Sequence, residues 1–289
     1  MIDFHTHLGR QGLRRTATFS PAELVLKMDK WHIDKAVVLP LHDSPSGWYF
    51  GTTETVLADC SQFPTRLIPF AQIDPRFGDN SPKCNFRELL AEYKERGCLG
   101  VGEMTANMHF DNPLVINLMQ QVGEAELPVV FHAAHVIGGT YGLVDDLGLP
   151  RLERLLKEAP NTVFAAHGPA WWSEISADAN DKTRGGYPKG PVTPGRVQEL
   201  LANYPNLYGE MSAGSGFNGI NRDPEYGLKF LEEFQDKLLF GTDTLSRNME
   251  EKSVPIVGFM ERVLAEGKLS AEAHAKITHK NAARLLKLE

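Results

Sequence analysis

Short apolar runs of strand length alternate with helical patterns along the chain, and this alternation constrains the fold more than any other feature. The runs are rich in β-branched and aromatic residues and start about 30 to 45 positions apart. They are IDFHTH from Ile2, KAVVLPL from Lys35, RLIPFAQID from Arg66, LGVGEM from Leu99, PVVFHAA from Pro128, TVFAAHG from Thr162, LYGEMSA from Leu207 and LLFGTDT from Leu238. Such alternation is typical of parallel strands joined by helical crossovers.

Helix start signals lie between these runs. Ser20, a proline and Glu23 have the spacing of a capping box. Further helical patterns open at Asn112-Pro113, Pro150, Thr193-Pro194 and Asp223-Pro224, and a last one begins at Ser270. Eight such units predict an α/β fold, a (β/α)8 TIM barrel that takes up residues 1–289 as one domain. The alternative is an open doubly wound sheet, which usually has fewer strands and a glycine-rich loop after the first one.

Two connections are long enough to be candidate lids over the C-terminal mouth of the barrel. The one after strand one carries Arg10, Arg14 and Arg15, and the one after strand six carries Trp171 and Trp172. An arginine there could pair with a substrate carboxylate or simply face solvent. The tryptophans could anchor the loop in the core or form a wall for an organic substrate. We take Arg10 and Trp171 as candidate substrate contacts.

Composition narrows the function classes. The 42% hydrophobic and 23% charged fractions are those of a soluble globular protein. A formal charge of −7 offers no basic surface for phosphate backbones, so we expect a small-molecule substrate rather than nucleic acid. Three cysteines without CxxC spacing, no secretory leader and no membrane-length apolar run predict a cytoplasmic protein. Assembly into a homo-oligomer is left open.

Ligand-type side chains stand at the ends of the strands. His5 and His7 are two apart on strand one and should point the same way. Strands four to eight carry Glu103, His132, His167, Glu210 and Asp243 at their ends. A lone histidine at a strand end is usually a rim residue. Four histidines and three carboxylates that converge on one mouth are different, because buried charges of like sign repel unless protons or a cation compensate them. Imidazole and carboxylate ligands suit Zn²⁺ best, although Mn²⁺, Fe²⁺ and Ni²⁺ would bind the same groups.

These motifs resemble the amidohydrolase superfamily of metal-dependent (β/α)8 enzymes. HxH on strand one, histidines on strands five and six and an aspartate on strand eight carry the likeness, and "ITHKNAARLLKL" is similar to its closing helix. The resemblance implies that His5, His7 and His132 bind metal. It makes Asp243 both a metal ligand and the general base for a metal-activated water. His167 would bind a second metal, or orient the water or the substrate.

Glu103 departs from the superfamily pattern of a lysine on strand four. It is similar to the glutamate of the TatD-like branch, whereas "HG" after strand six and Asp74-Pro75 after strand three resemble the amidohydrolase-related branch of lactonases and decarboxylases. The number of metal ions therefore stays open between one and two. We favour two, because Glu103 otherwise has no partner.

The residues outside the ligand set have open roles. Glu210 could contact substrate or be a rim carboxylate paired with an arginine, and His42, after strand two, could contact substrate. The leading function is hydrolysis of a small amide, cyclic imide or lactone, with Asp243 as general base and His167 assisting. Metal-dependent decarboxylation of a small aromatic or unsaturated acid is the alternative. TatD-like cleavage of DNA and a non-catalytic metal scaffold rank below both.

Overall fold

The computed structural model describes residues 1–11, 18–42 and 49–288, and its centre is a ring of parallel strands. The barrel strands are β1 (Ile2–Thr6), β2 (Lys35–Val38), β3 (Leu67–Pro69), β4 (Val101–Met104), β5 (Val129–Ala134), β6 (Phe164–His167), β7 (Leu207–Glu210) and β8 (Leu238–Leu239). Each lies within one of the eight apolar runs of the sequence. The predicted strands are therefore confirmed, although several are shorter than their runs.

Backbone pairing joins these strands in chain order and closes the ring. Strands β1 to β3 pair in sequence, as do β4 to β8, all in parallel. A bridge between Ala71 and Val101 joins the two sets. At the other junction, Thr6 bridges Thr244, and the Phe4 amide donates to the Phe240 carbonyl at 2.9 Å. The predicted (β/α)8 barrel is confirmed, and the open doubly wound sheet is wrong.

Helices surround the barrel, and five of the six helix starts predicted from the sequence are observed. They are Pro21–Lys30, Thr53–Cys60, Arg87–Glu95, Pro113–Glu124, Pro150–Glu158, Pro169–Trp172, Arg196–Asn203, Ala213–Asn221, Pro224–Glu233, Pro255–Ala265, Ala271–Ala275 and Asn281–Leu285, with a π-helical turn over Lys276–Lys280. Ser20 and Glu23 form the predicted capping box. The helix predicted from Thr193-Pro194 instead begins at Arg196, after an extended Gly195.

Two apolar layers hold the barrel. One packs the outer faces of the strands against the helices, with Val129, Phe164 and Leu207 among its members. The other contains Ile2, Phe4, Val37, Phe70 and Leu239, together with part of the last helix. In this second layer the rings of Phe4 and Phe70 meet edge to face at 5.9 Å. Along β1 and β8, Phe4 and Leu239 of this layer precede His5 and Asp243, so the polar side chains lie on the C-terminal side of the layer.

The long connection after β6 is anchored inside the protein. Trp171 and Trp172 are 0% and 1% exposed, and their rings meet at 6.3 Å. The guanidinium of Arg184 is also buried and lies 3.4 Å from a carboxylate oxygen of Glu174. The interpretation of Trp171 as a substrate wall is therefore wrong. Its indole is a core anchor for the loop, the other alternative that the sequence allowed.

The connection after β1 begins as a strand, Gly9–Gln11, which pairs with Thr18–Phe19 and with Tyr49–Phe50. Arg14 and Arg15 lie outside the described residues. No helix among the described residues has both the length and the apolar composition to cross a bilayer.

Candidate metal centre

Seven ionisable side chains from six strands meet at the C-terminal end of the barrel. Six of them are buried: His5, His7, Glu103, His132, His167 and Glu210. The seventh, Asp243, has a side chain that is 21% exposed. The Nε2 atoms of His5 and His7 are 3.0 Å apart, so the HxH pair converges as the sequence predicted.

Glu103 lies between two pairs of histidines. Its Oε2 atom is 3.5 Å from His5 Nε2 and 3.4 Å from His7 Nε2. Its Oε1 atom faces the other pair, at 2.9 Å from His132 Nδ1 and 3.9 Å from His167 Nε2. Each carboxylate oxygen therefore belongs to a different histidine pair, which is the arrangement of a carboxylate that can bridge two cations.

Asp243 joins the His5 and His7 pair from the segment after β8, the strand next to β1. Its Oδ1 atom is 3.4 Å from His7 Nε2 and 3.7 Å from His5 Nε2. The residue has a left-handed backbone, with φ of 56°, and its amide donates to the His5 carbonyl at 2.8 Å. Asp tolerates this conformation better than most residues. The β1–β8 junction thus fixes where the carboxylate points.

The structure places Glu210 neither in a substrate contact nor in a rim pair with an arginine. It is 0% exposed, and its Oε2 atom lies 3.1 Å from His5 Nδ1 and 2.9 Å from His167 Nδ1. Ser212 donates its backbone amide to Oε1 at 2.8 Å and its hydroxyl to Oε2 at 2.6 Å. The interpretations of Glu210 as a substrate contact or as a rim partner of arginine are both wrong. Its carboxylate lies behind the two imidazoles.

Strands β1 and β4 depart from regular pairing where they carry these side chains. The register of β1 against β2 shifts between residues 3 and 6, and that of β4 against β5 shifts between residues 101 and 104. Such irregularities re-aim side chains near active sites. Beside Glu103, Gly102 has φ of 135°, and a Cβ there would overlap the Val130 carbonyl oxygen. Glycine is therefore required for the close approach of β4 to β5.

The electrostatics of the cluster show that its charges depend on one another. Burial lowers the pKa of His5, but the charge of Glu210 and a hydrogen bond to Glu103 outweigh it and raise the pKa well above its usual value. Burial also opposes protonation of His7, yet hydrogen bonds to Asp243 and Glu103 raise its pKa to about 8. Burial pushes the pKa of Glu210 upward, but the neighbouring histidines lower it to about 2. The carboxylates are thus ionised and require positive charge beside them.

This donor set fits a divalent cation. Three groups of side chains bring their ligand atoms within 4.8 Å of one another, namely His5, His7 and Glu103; Glu103, His132 and His167; and His5, His167 and Glu210. Nitrogen and carboxylate donors of this kind match Zn²⁺ and other transition-metal ions. The positive charge that the carboxylates require can therefore come from a metal as well as from protons.

A narrow cavity opens above the cluster. It is lined by His7, Glu103, His167 and Asp243, and by Leu41, Tyr141 and Leu245. The Tyr141 ring lies over the His132 ring, with centroids 4.5 Å apart. Sequence reasoning missed Tyr141, and the only signal for it was its place in the loop that follows the His132 strand.

Two other candidate substrate contacts lie elsewhere. His42 is exposed, and its backbone amide donates to Gln72 Oε1 at 2.6 Å. Arg10 lines a separate groove with Thr18, Phe19 and Asp59. Neither residue lines the cavity above the cluster. Their assignment to substrate binding remains a prediction.

Comparison with known proteins agrees with this geometry. The family model Amidohydro_2, described as amidohydrolase, matches residues 2–288. The chain belongs to this amidohydrolase family. The resemblance inferred from HxH and the later strand-end residues is thereby confirmed, and with it the assignment of the chain as an enzyme. No curated protein has a significant sequence match to this chain.

Solved structures share the fold of this chain at low identity. A probable 2-pyrone-4,6-dicarboxylic acid hydrolase from Acinetobacter baumannii, with citric acid bound, has a TM-score of 0.61 at 16% identity, covering 99% of this chain and 98% of that one. An amidohydrolase from Burkholderia multivorans with bound zinc has a TM-score of 0.60 at 14% identity, with the same coverages. A 2,6-dihydroxybenzoate decarboxylase from Rhizobium has a TM-score of 0.59 at 13% identity, again covering 99% and 98%.

Proposed function

We propose that this family member is a metal-dependent hydrolase of a small organic substrate that contains an amide, a cyclic imide or a lactone. The observation that carries the proposal is the convergence of four histidines, Glu103 and Asp243 below one cavity. A bound divalent cation polarises a carbonyl and lowers the pKa of water to about 7. Family membership and the zinc in the Burkholderia relative support a metal at this place.

We further propose two ions per chain, with Zn²⁺ as the best match. His5, His7 and Asp243 would hold one ion, and His132 and His167 the other. Support comes from Glu103, whose two oxygens face different histidine pairs. Mn²⁺, Fe²⁺ and Ni²⁺ remain alternatives, because imidazole and carboxylate ligands accept each of them.

Asp243 is the residue best placed to move a proton. It is more exposed than the other six side chains, and it lines the cavity. Its pKa is held below the usual value, since burial is outweighed by a hydrogen bond from His7 and by the charge of His5. Asp243 would take the proton of the attacking water and return it to the leaving group. With a single ion bound, His167 would instead be free to orient the water or the substrate from the cavity wall.

Decarboxylation is the second candidate function. It is favoured by the structural likeness to 2,6-dihydroxybenzoate decarboxylase, and by the aromatic ring of Tyr141 above the site. In that reaction a carboxylated substrate would lose CO₂, and a proton from an acid in the cavity would be added to its carbon. The absence of net water incorporation would distinguish it from hydrolysis.

The test is a substrate panel assayed on protein reconstituted with Zn²⁺. The panel contains lactones, cyclic imides and amides on one side, and aromatic and unsaturated carboxylic acids on the other. Hydrolysis is expected to appear as ring opening or amine release that Asp243→Asn slows by about 10²- to 10⁴-fold. Release of CO₂ from the acids, with no activity on the esters and amides, would replace the hydrolase by the decarboxylase.

A further inference from the structure

A buried hydrogen-bonded network lies behind the candidate metal ligands, and neither the family match nor the cavity explains it. Glu210 Oε2 contacts the Nδ1 atoms of His5 and His167 at 3.1 Å and 2.9 Å. Ser212 Oγ lies 3.0 Å from the same His167 nitrogen and 2.6 Å from Glu210 Oε2. The His5 and His167 ligands belong to different histidine pairs around Glu103, and Glu210 contacts both through their Nδ1 atoms.

We propose that Glu210 is a positioning residue that fixes the tautomer of His5 and His167 together, and so couples the two halves of the metal centre. Both Glu210 oxygens accept hydrogen bonds from Ser212, one from the amide and one from the hydroxyl, so the carboxylate acts as an acceptor towards its neighbours. Each Nδ1 facing it must therefore carry a hydrogen, which leaves the Nε2 lone pair directed at the cavity. Carboxylates in this position commonly orient histidine ligands and increase their basicity. The inference rests on the proposed metal site.

The same three residues, His5, His167 and Glu210, could in principle hold a metal ion themselves. The surroundings of Glu210 argue against that alternative. Both of its oxygens already accept hydrogen bonds from Ser212, one from the amide and one from the hydroxyl. A Cβ at Gly241 would overlap Glu210 Oε1, so the wall behind the carboxylate is closed. The carboxylate is thus fully used by hydrogen-bond donors.

Glu210→Gln makes the proposal testable, because the amide is nearly the same size but presents a donor. Four donors converge on Glu210: two imidazole nitrogens, the Ser212 amide and the Ser212 hydroxyl. If the glutamine NH₂ faces an imidazole Nδ1, that nitrogen must become an acceptor, and its hydrogen moves to Nε2. The ring then directs an N–H, not a lone pair, at the metal.

The experiment measures the dissociation constant of Zn²⁺ by chelator competition, and the thermal stability of the metal-free protein, for wild type and three variants. Glu210→Gln is expected to weaken Zn²⁺ binding about 10- to 100-fold. Ser212→Ala keeps the carboxylate and loses one donor, so a smaller loss in the same direction is expected, and this variant serves if Glu210→Gln does not fold. Glu174→Gln is the control, because Glu174 is a buried carboxylate that accepts from the Gly148 amide and faces Arg184. It should lower stability and leave zinc affinity unchanged.

Wild-type zinc affinity in both Glu210→Gln and Ser212→Ala would overturn the positioning role. An equal loss of affinity in Glu174→Gln would also overturn it, since any buried charge change would then have the same effect. Failure of the wild type to bind Zn²⁺ would instead refute the proposed metal site, so the two failures are distinguishable.

Discussion

Replacing Asp243 by asparagine is the substitution that most sharply separates proton transfer from metal binding in this site. The side chain keeps its shape and one oxygen, so the 3.4 Å and 3.7 Å approaches to His7 and His5 can persist. Glu103 and the histidines supply the remaining ligands. What asparagine removes is the ability to accept a proton, because an amide has no basicity in the relevant pH range.

The expected loss of rate in Asp243→Asn follows from the role of Asp243 as general base. A positioned general base contributes about 10²- to 10⁴-fold to the rate. Each factor of ten corresponds to about 1.4 kcal/mol of activation free energy. Asp243→Asn should therefore raise the barrier by about 3 to 5 kcal/mol, through kcat rather than KM, while at least one metal ion per chain is retained.

The assay is the initial rate on the best wild-type substrate of the panel, with metal content measured on the same preparations. Asp236→Asn is the matched control, since Asp236 is exposed and pairs with Lys276, away from the cluster. The control should keep wild-type turnover. A kcat of Asp243→Asn within twofold of wild type, at equal metal content, would refute the assignment of Asp243 as general base.

Three further substitutions test the packing and the electrostatics. Trp171→Ala, at a site with 0% exposure, should lower the free energy of unfolding by about 3 to 5 kcal/mol in urea denaturation; an unchanged value would contradict the role of Trp171 as a core anchor. Gly241→Ala places a methyl against Glu210 Oε1 and should cost about 1 to 3 kcal/mol while also weakening zinc binding; a variant with wild-type stability and affinity would show that the wall behind Glu210 yields. Burial raises the pKa of Asp145 to about 6, from an unperturbed 3.8. The folded state therefore binds this proton more tightly than the unfolded state does. The contribution of Asp145 to wild-type stability should fall as pH rises from about 4 to about 6. The stability of wild type relative to Asp145→Asn should therefore decline by about 3 kcal/mol over that range, and a pH-independent difference would contradict the raised pKa.

Local sequence patterns were sufficient to predict the barrel and to select the candidate metal ligands. Strand-length runs that alternate with capped helices are compatible with few folds. In a barrel of eight such units, His5, His7 and Asp243 are expected at the same end. The capping signal at Ser20 also predicted its helix boundary correctly. Thr193-Pro194 did not, because Pro194 forms a bridge with Ser176 and Gly195 is extended, so the helix begins two residues later, at Arg196.

Contacts between distant positions could not be predicted in the same way. Glu210 pairs with a histidine 205 positions away, and nothing in its own strand indicates that partner. The shifts in register on β1 and β4 depend on how neighbouring strands pair, which one-dimensional alternation does not specify. Trp171 had two plausible environments, and only the packed loop distinguishes them. Tyr141 reaches the cavity through a loop, where sequence contains little information on direction.

The measurement that tests the central claim most directly is the metal content of each chain, determined by elemental analysis on protein purified without chelators or a metal-affinity tag. Wild type should contain two divalent ions per chain, and the double variant His5→Ala/His7→Ala should lose at least the ion that those residues share with Asp243. One ion in the wild type would mean that Glu103 does not bridge. No ion, even after reconstitution with Zn²⁺, would contradict the assignment of this histidine and carboxylate cluster as a metal centre.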